Sequence, residues 1–148
     1  MHQKIVPDII PQPNVTAVGP GDTVLTAAET MLEAHIAALV VLDQKEGLIG
    51  IITERDITQR LVAKALDPSK TLVSEIMTNN PDTLSPSDSA GDALTLMQNR
   101  NYRHLPVAED GKCVGVVSIR DLYAAVMITL EQDIKEKEAF VFGDRYGA

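Results

Sequence analysis

The chain repeats itself. Residues 38–57, ALVVLDQKEGLIGIITERDI, align with residues 104–122, HLPVAEDGKCVGVVSIRDL. Gly50, Arg55 and Asp56 match Gly115, Arg120 and Asp121 at a constant spacing of 65 residues. Further upstream Pro20, Asp22, Ala27, Met31, Leu39 and Val41 match Pro86, Asp88, Ala93, Met97, Leu105 and Val107 at a spacing of 66, and Ile9 pairs with Ile76. Matches that keep chain order while their spacing drifts by a residue indicate fixed elements joined by loops of slightly different length. A unit this short buries too little apolar surface alone, so the two have to pack together as one cooperative body.

Each unit reads as strand, helix, strand, strand, helix. In the first, residues 15–18 form a short strand closed by the turn Gly19-Pro20-Gly21. Asp22 is placed as N-cap of a helix over 23–35, with Val24, Ala27, Ala28, Met31 and Leu32 on one face at helical spacing. The runs 38–42 and 48–52 are almost continuously aliphatic and read as strands buried on both faces, and a second helix covers about 54–65. The second unit places a strand near Thr83, a helix over 89–99, strands over 105–108 and 114–118, and a helix from Ile119 onward. The expected architecture is therefore an α/β fold of the α+β type: two pseudo-symmetric β-α-β-β-α repeats packed sheet to sheet, with a C-terminal helical extension. The boundaries fall at 5–66 for the first repeat, 67–71 for the linker, 72–130 for the second repeat and 131–148 for the extension.

Composition narrows the function. Hydrophobic residues are 45% of the chain and aromatics 3%, with no tryptophan, so the core is aliphatic and offers few rings for stacking bases. The net charge of −8 leaves no basic face to displace counterions from a nucleic acid, and direct nucleic-acid binding is not expected. The single cysteine, Cys113, excludes an internal disulfide and fits a reducing, cytoplasmic setting. Residues 1–13 carry three prolines and no apolar core of a secretion signal, and no apolar run approaches the ~20 residues of a membrane span. No His/Cys spacing matches a zinc site, no Gly-rich phosphate loop occurs, and no pair of carboxylates is placed for acid–base work, so no catalytic residue is assigned. Cys113 reads as a small buried or edge thiol.

One motif occurs twice: Gly50-Ile-Ile-Thr53-Glu-Arg55-Asp56 and Gly115-Val-Val-Ser118-Ile-Arg120-Asp121. A glycine interrupts a buried strand, a hydroxyl residue ends it, and an aspartate enters the first turn of a helix. Two readings stand side by side. Thr53-x-x-Asp56 and Ser118-x-x-Asp121 are capping boxes, which need no ligand. They also suit a nucleoside phosphate: the glycine lets a flat group approach, the hydroxyl and helix start donate to phosphate, and the aspartate accepts from a ribose diol.

The two units resemble CBS domains, whose tandem pair is called a Bateman module. The resemblance rests on these Gly-h-h-[Ser/Thr]-x-x-Asp ends, on Tyr102-Arg-His-Leu-Pro-Val107, and on the openings Pro-Asp-Ile-Ile at 7–10 and Ser-Glu-Ile-Met at 74–77, and covers about residues 5–130. It implies two clefts between the sheets, each able to take an adenosyl ligand: AMP first, with ATP, NAD(H) or S-adenosylmethionine as alternatives, and no required cofactor. It assigns the ribose to Asp56 and Asp121 and the phosphate to Thr53 and Ser118. The adenine would sit against Val15–Ala17 and Ile51 in one cleft, and against Thr83 and Val116 in the other. Arg103 and His104, where the first unit has Ala37 and Ala38, would reach the phosphate in the Thr53/Asp56 cleft. The Ser118/Asp121 cleft would lack them and rely on Arg120, making the first cleft the tighter one. Arg55 and Arg120 equally fit solvated helix charges, and His104 a strand-edge histidine.

The resemblance thus implies a regulatory, non-catalytic module, dimeric as a homodimer and read by a separate effector protein. The alternative is a structural dimerisation module with empty clefts. Past Leu130 the sequence turns strongly charged while Leu122, Val126, Leu130 and Ile134 keep an apolar stripe. Three of the five aromatic residues, Phe140, Phe142 and Tyr146, crowd into the last ten positions, which suggests docking on a partner subunit.

Overall fold

The computed structural model describes residues 3–12 and 14–146, with side chains as far as Phe142. The first unit runs β1 (Ala17–Val18), α1 (Val24–Ala34), β2 (Ala38–Leu42), β3 (Leu48–Thr53) and α2 (Glu54–Asp56). The last of these continues through a wide helical turn (Ile57–Leu61) and a 3-10 turn (Val62–Lys64). Next come α3 (Val73–Ile76) and β4 (Thr78–Asn79). The second unit follows with α4 (Ala90–Arg100), β5 (His104–Glu109), β6 (Lys112–Ser118) and α5 (Ile119–Tyr146). Among the described residues no helix is long and apolar enough to cross a membrane.

The units repeat down to local irregularities. One sheet has the order β1-β2-β3-β4, with β1 parallel to β2 and the remaining pairs antiparallel; the other is the antiparallel pair β5-β6. Leu84 bridges Val107 in parallel, standing where β1 stands in the first unit. The hairpin register shifts between Val41 and Leu42, and at the equivalent point between Val107 and Ala108.

The helix starts correct one expectation. Thr23, not Asp22, caps α1, its hydroxyl accepting from Thr26 N at 3.1 Å. The Asp22 carboxylate instead accepts from Gly19 N at 2.8 Å and closes the preceding turn. Ser89 and Asp88 divide the same work before α4. Since Asp22 lies one residue too early, its oxygen reaches back into the turn while the next hydroxyl reaches forward.

The opening segments are exchanged between the units. Ile5 is completely buried with Leu84, Ala90, Ala93, Met97, Leu105, Val107, Val117 and Leu122, in the core of the second unit. Backbone bonds fix it there: Ile5 N and Val6 N donate to the Asp88 and Pro86 carbonyls, both at 2.9 Å. Conversely Val73, Ile76 and Met77 complete the first unit's core with Val24, Met31, Leu39, Val41 and Ile52, and Val73 N donates to Asp22 O at 2.8 Å. Each fully buried aliphatic side chain contributes about 1.5–3 kcal/mol, so the exchange joins the two halves through their cores.

This exchange explains the strand glycines, which the sequence reading assigned to a ligand. The crossing strand β4 pairs Asn79 with Gly50 and Thr78 with Ile51. A Cβ on Gly50 would lie 2.6 Å from Met77 Sδ and 3.1 Å from the Thr78 carbonyl oxygen. On Gly115 it would lie 3.0 Å from Ile10 Cδ1. The glycines admit the other unit's opening segment.

The opposite sheet face is covered too. Val40 and Ile51 point away from the helices yet are buried, where β2 comes against β6. The helix α5 departs from this compact body. Leu122 is fully buried and Val126 half-buried, but every residue from Leu130 to Phe142 is exposed, Leu130 and Ile134 of the apolar stripe included. The expected aromatic tail is a continuation of this helix, with Phe140 71% exposed; the Tyr146 side chain, Gly147 and Ala148 lie outside the described residues.

Candidate functional site

Two clefts open where the sheets face each other, one for each copy of the repeated motif. The first, ≈ 200 Å³, is lined by Ile51, Thr53, Arg55 and Asp56 from the first unit and by Asn101–Leu105 from the second; Arg60, Thr78, Pro81, Asp82 and Arg100 complete it. The second, ≈ 550 Å³, is lined by Val116, Ser118, Arg120 and Asp121 on one side and by His35–Ala38 on the other, with Asn14, Thr16 and Glu54 at its edges. The two walls correspond residue for residue across the repeat.

Both motifs form their capping boxes. In the first cleft Asp56 N donates to Thr53 Oγ1 at 3.2 Å, Thr53 N donates to Asp56 Oδ2 at 3.0 Å, and the Thr53 hydroxyl donates to the same oxygen at 3.2 Å. In the second, Asp121 N donates to Ser118 Oγ and Ser118 N to Asp121 Oδ2, both at 3.1 Å. A short aspartate thus serves where glutamate is the usual reciprocal partner. Burial then separates the two. Asp56 is only 8% exposed, and its second oxygen faces Arg60 Nε at 3.8 Å. Asp121 is exposed, and its second oxygen has no partner among the described residues.

Most cations of the first cleft are committed to the protein. Arg55 Nη1 donates to the Asn101 carbonyl at 3.1 Å, joining α2 to the end of α4. Arg60 Nη1 donates to the Ile76 and Met77 carbonyls, both at 3.0 Å. Arg100 lies 3.8 Å from Asp82. The Arg103 side chain makes neither a hydrogen bond nor an ion pair among the described residues. Arg120 in the second cleft is likewise uncommitted and exposed.

Arg103 and His104 correct the expected asymmetry. They are expected at the Thr53/Asp56 cleft alone, but they line both clefts. The cause is the strand register: His104 pairs with Ser118, and the Arg103 carbonyl accepts from Ile119 N at 2.8 Å, so the wall of one cleft is the floor of the other. Burial lowers the His104 pKa, and the neighbouring Arg103 charge adds to the shift; Glu54 and Asp121 oppose it and Arg55 reinforces it. His104 is therefore a neutral imidazole near pH 7, able to donate from one nitrogen and accept at the other.

The residues expected against the adenine come only partly into the clefts. Ile51 and Val116 line the clefts as anticipated, but Ala17 and Thr83 line neither, and both are exposed. Because the opening segments cross over, Asn14 and Thr16 border the Ser118/Asp121 cleft, while Thr78, Pro81 and Asp82 border the Thr53/Asp56 cleft. Arg60, Tyr102, His35 and Glu54 were missed. One signal for part of this set was present: His35 and Asn101 are equivalent in the repeat and both end a helix in the left-handed conformation, with φ of 54° and 57°, which marks where the chain turns back into the cleft. Cys113 is half-buried, donates to the Gly115 carbonyl at 3.4 Å and has its pKa raised by burial, as befits a protonated thiol.

Two β-α-β-β-α units facing each other across an axis, with a polar cleft on either side, define a tandem-repeat module. The chain belongs to the CBS-domain family, whose profile matches residues 6–63 and again 73–128. It is 38% identical over 114 residues to a 17.7 kDa protein of Acidianus ambivalens, covering 76% of this chain and 68% of that one. It spans only 19–22% of the length of several CBS domain-containing proteins of Arabidopsis thaliana. A CBS-domain containing protein from Agrobacterium tumefaciens has a similar structure, with a TM-score of 0.76, 30% identity, and coverage of 81% of this chain and 97% of that one. So does a CBS domain protein from Pyrobaculum aerophilum in complex with AMP, with a TM-score of 0.73, 27% identity, and coverage of 84% and 95%.

Proposed function

We propose that this chain is a non-catalytic regulatory module that binds an adenine nucleotide in the clefts between its two CBS repeats. The observation that carries the reading is the convergence, in each cleft, of a hydroxyl–aspartate helix start with the unpaired Arg103 and the neutral His104. That set offers an acceptor for a ribose diol and a cation with a donor for a phosphate. The AMP complex of the Pyrobaculum relative supports AMP as the first ligand to test, with ATP and NAD(H) next. Arg103 favours these over S-adenosylmethionine. The second cleft falls within the ~300–1,000 Å³ of ordinary ligand pockets and the first below it. The first is therefore the narrower of the two, with Arg103 as its one uncommitted arginine among the described residues.

The ligand acts by favouring one arrangement of a homodimer, which a separate effector protein reads in the cytoplasm; such coupling requires different affinities for two states. The exposed Tyr123, Met127 and Ile128 on α5 support a subunit contact. A thermal-shift series with AMP, ADP, ATP, NAD(H) and S-adenosylmethionine tests the reading. Ligand at ~100 times its dissociation constant adds ~2.7 kcal/mol of apparent stability, and Asp56→Ala weakens binding roughly 10–100-fold. No shift with any of the five overturns it. One observation favours a second reading, a structural module with empty clefts: both capping boxes are complete without a ligand. On that reading neither Asp56→Ala nor Asp121→Ala alters the ligand profile or the oligomer.

A further inference from the structure

The two clefts do not have separate supplies of positive charge. In the first, Arg55 is held by the Asn101 carbonyl, Arg60 by two backbone carbonyls and Asp56, and Arg100 by Asp82. Arg103 is the cation left over there, and it also lines the second cleft. Its position is fixed by the backbone on both sides, through the Ile119 N bond to its carbonyl and the pairing of His104 with Ser118. It cannot withdraw into one cleft without leaving the other.

We infer that the clefts are antagonistic sites for anionic ligands: a phosphate-bearing nucleotide in one lowers the affinity of the other, because both draw on Arg103. The inference rests on the nucleotide reading above and adds a rule of occupancy to it. A first phosphate takes up the shared guanidinium and leaves a negative charge beside the second site. The second ligand then meets a less positive wall, where only Arg120 or the committed arginines remain. The coupling is reciprocal, so whichever cleft fills first weakens the other by the same factor. A ligand without phosphate draws on neither Arg103 nor the charge, and fills the two clefts independently.

Calorimetric titration of the full chain with AMP and with adenosine tests this, alongside Asp56→Asn and Asp121→Asn. Asparagine keeps an acceptor for each cap, and a melt confirms that each variant is folded. AMP should bind the wild type in two unequal steps. The second step should be weaker, by about 5–150-fold, than AMP binding to that same cleft when the other is disabled. A single AMP per chain, with the other cleft recovered only when its neighbour is disabled, is the same result at its extreme. Adenosine should show no such difference. Arg103→Gln should weaken AMP in both single-cleft variants and remove the antagonism. Wild-type steps that equal the single-cleft affinities overturn the inference while leaving nucleotide binding intact. So does equal antagonism with adenosine, or an Arg103→Gln effect confined to one cleft. No heat with either ligand overturns the nucleotide reading, and this inference with it.

Discussion

The two clefts descend from the same repeated motif, yet the molecule treats them differently. Around the first, Asp56 is buried beneath its cap and faced by Arg60, Arg55 crosses to the other unit, and a true strand, β4, passes over Gly50. Around the second, Asp121 and Arg120 are exposed, and among the described residues the segment over Gly115 makes no ladder with β6. Equal sequence motifs thus become unequal sites through what packs on them. The capping box fixes where an aspartate sits. Its neighbours decide whether it is part of the core or part of the surface.

Substitutions at equivalent positions measure this difference. The largest gap is expected at the glycines. Gly50→Ala forces a Cβ against Met77 and the Thr78 carbonyl and should cost about 1–3 kcal/mol in denaturant unfolding. Gly115→Ala presses only on the flexible end of Ile10 and should cost under about 1 kcal/mol. Equal losses would mean that the crossing strand does not hold the first unit more closely. Next are the caps: Asp56→Ala should cost about 1–2 kcal/mol and Asp121→Ala nearer 0.5 kcal/mol, read from the same curves. If Asp121 costs as much, burial is not what separates the pair.

Arg55→Ala should lose about 0.5–1.5 kcal/mol with its bond to Asn101, while Arg120→Ala stays within about 0.5 kcal/mol. The smallest effect is on pH. His104 titrates below its ordinary value when folded, so well above about pH 6.5 both states are neutral and it adds no pH dependence. As pH falls further the unfolded chain takes the proton first, and stability is lost down through the folded pKa. Melts from pH 7.5 to 5 should show that loss, and His104→Gln should flatten it. A steeper decline in the variant would place the pH sensitivity elsewhere, among the Glu54, Asp121, Arg55 and Arg103 charges around it.

The repeat made the element order and both capping boxes readable from the chain, because periodicity and hydroxyl–aspartate spacing are local properties. Strands β2, β3, β5 and β6 came within a residue or two of their observed ends for the same reason. The exchange of opening segments was not readable. Ile9 matches Ile76, and the match identifies equivalent positions without saying which unit each one packs into. That depends on how the chain crosses between sheets, and it puts Thr16 and Thr78, rather than Ala17 and Thr83, at the cleft walls. The double exposure of Arg103 escaped likewise, since it follows from the pairing of His104 with Ser118, a contact between strands.

The helix that begins at Ile119 has a mechanical consequence. Its first turn carries Arg120 and Asp121 at the edge of the second cleft, and its 28 residues reach to Tyr146, with every residue from Leu130 to Phe142 exposed. A rod of that length spans about 42 Å. Pivoting by about 5° at the cleft swings the far end through about 4 Å, more than a whole-residue rise along a helix. Small adjustments at Asp121 are geared up at the distal end, beside Phe140 and Phe142.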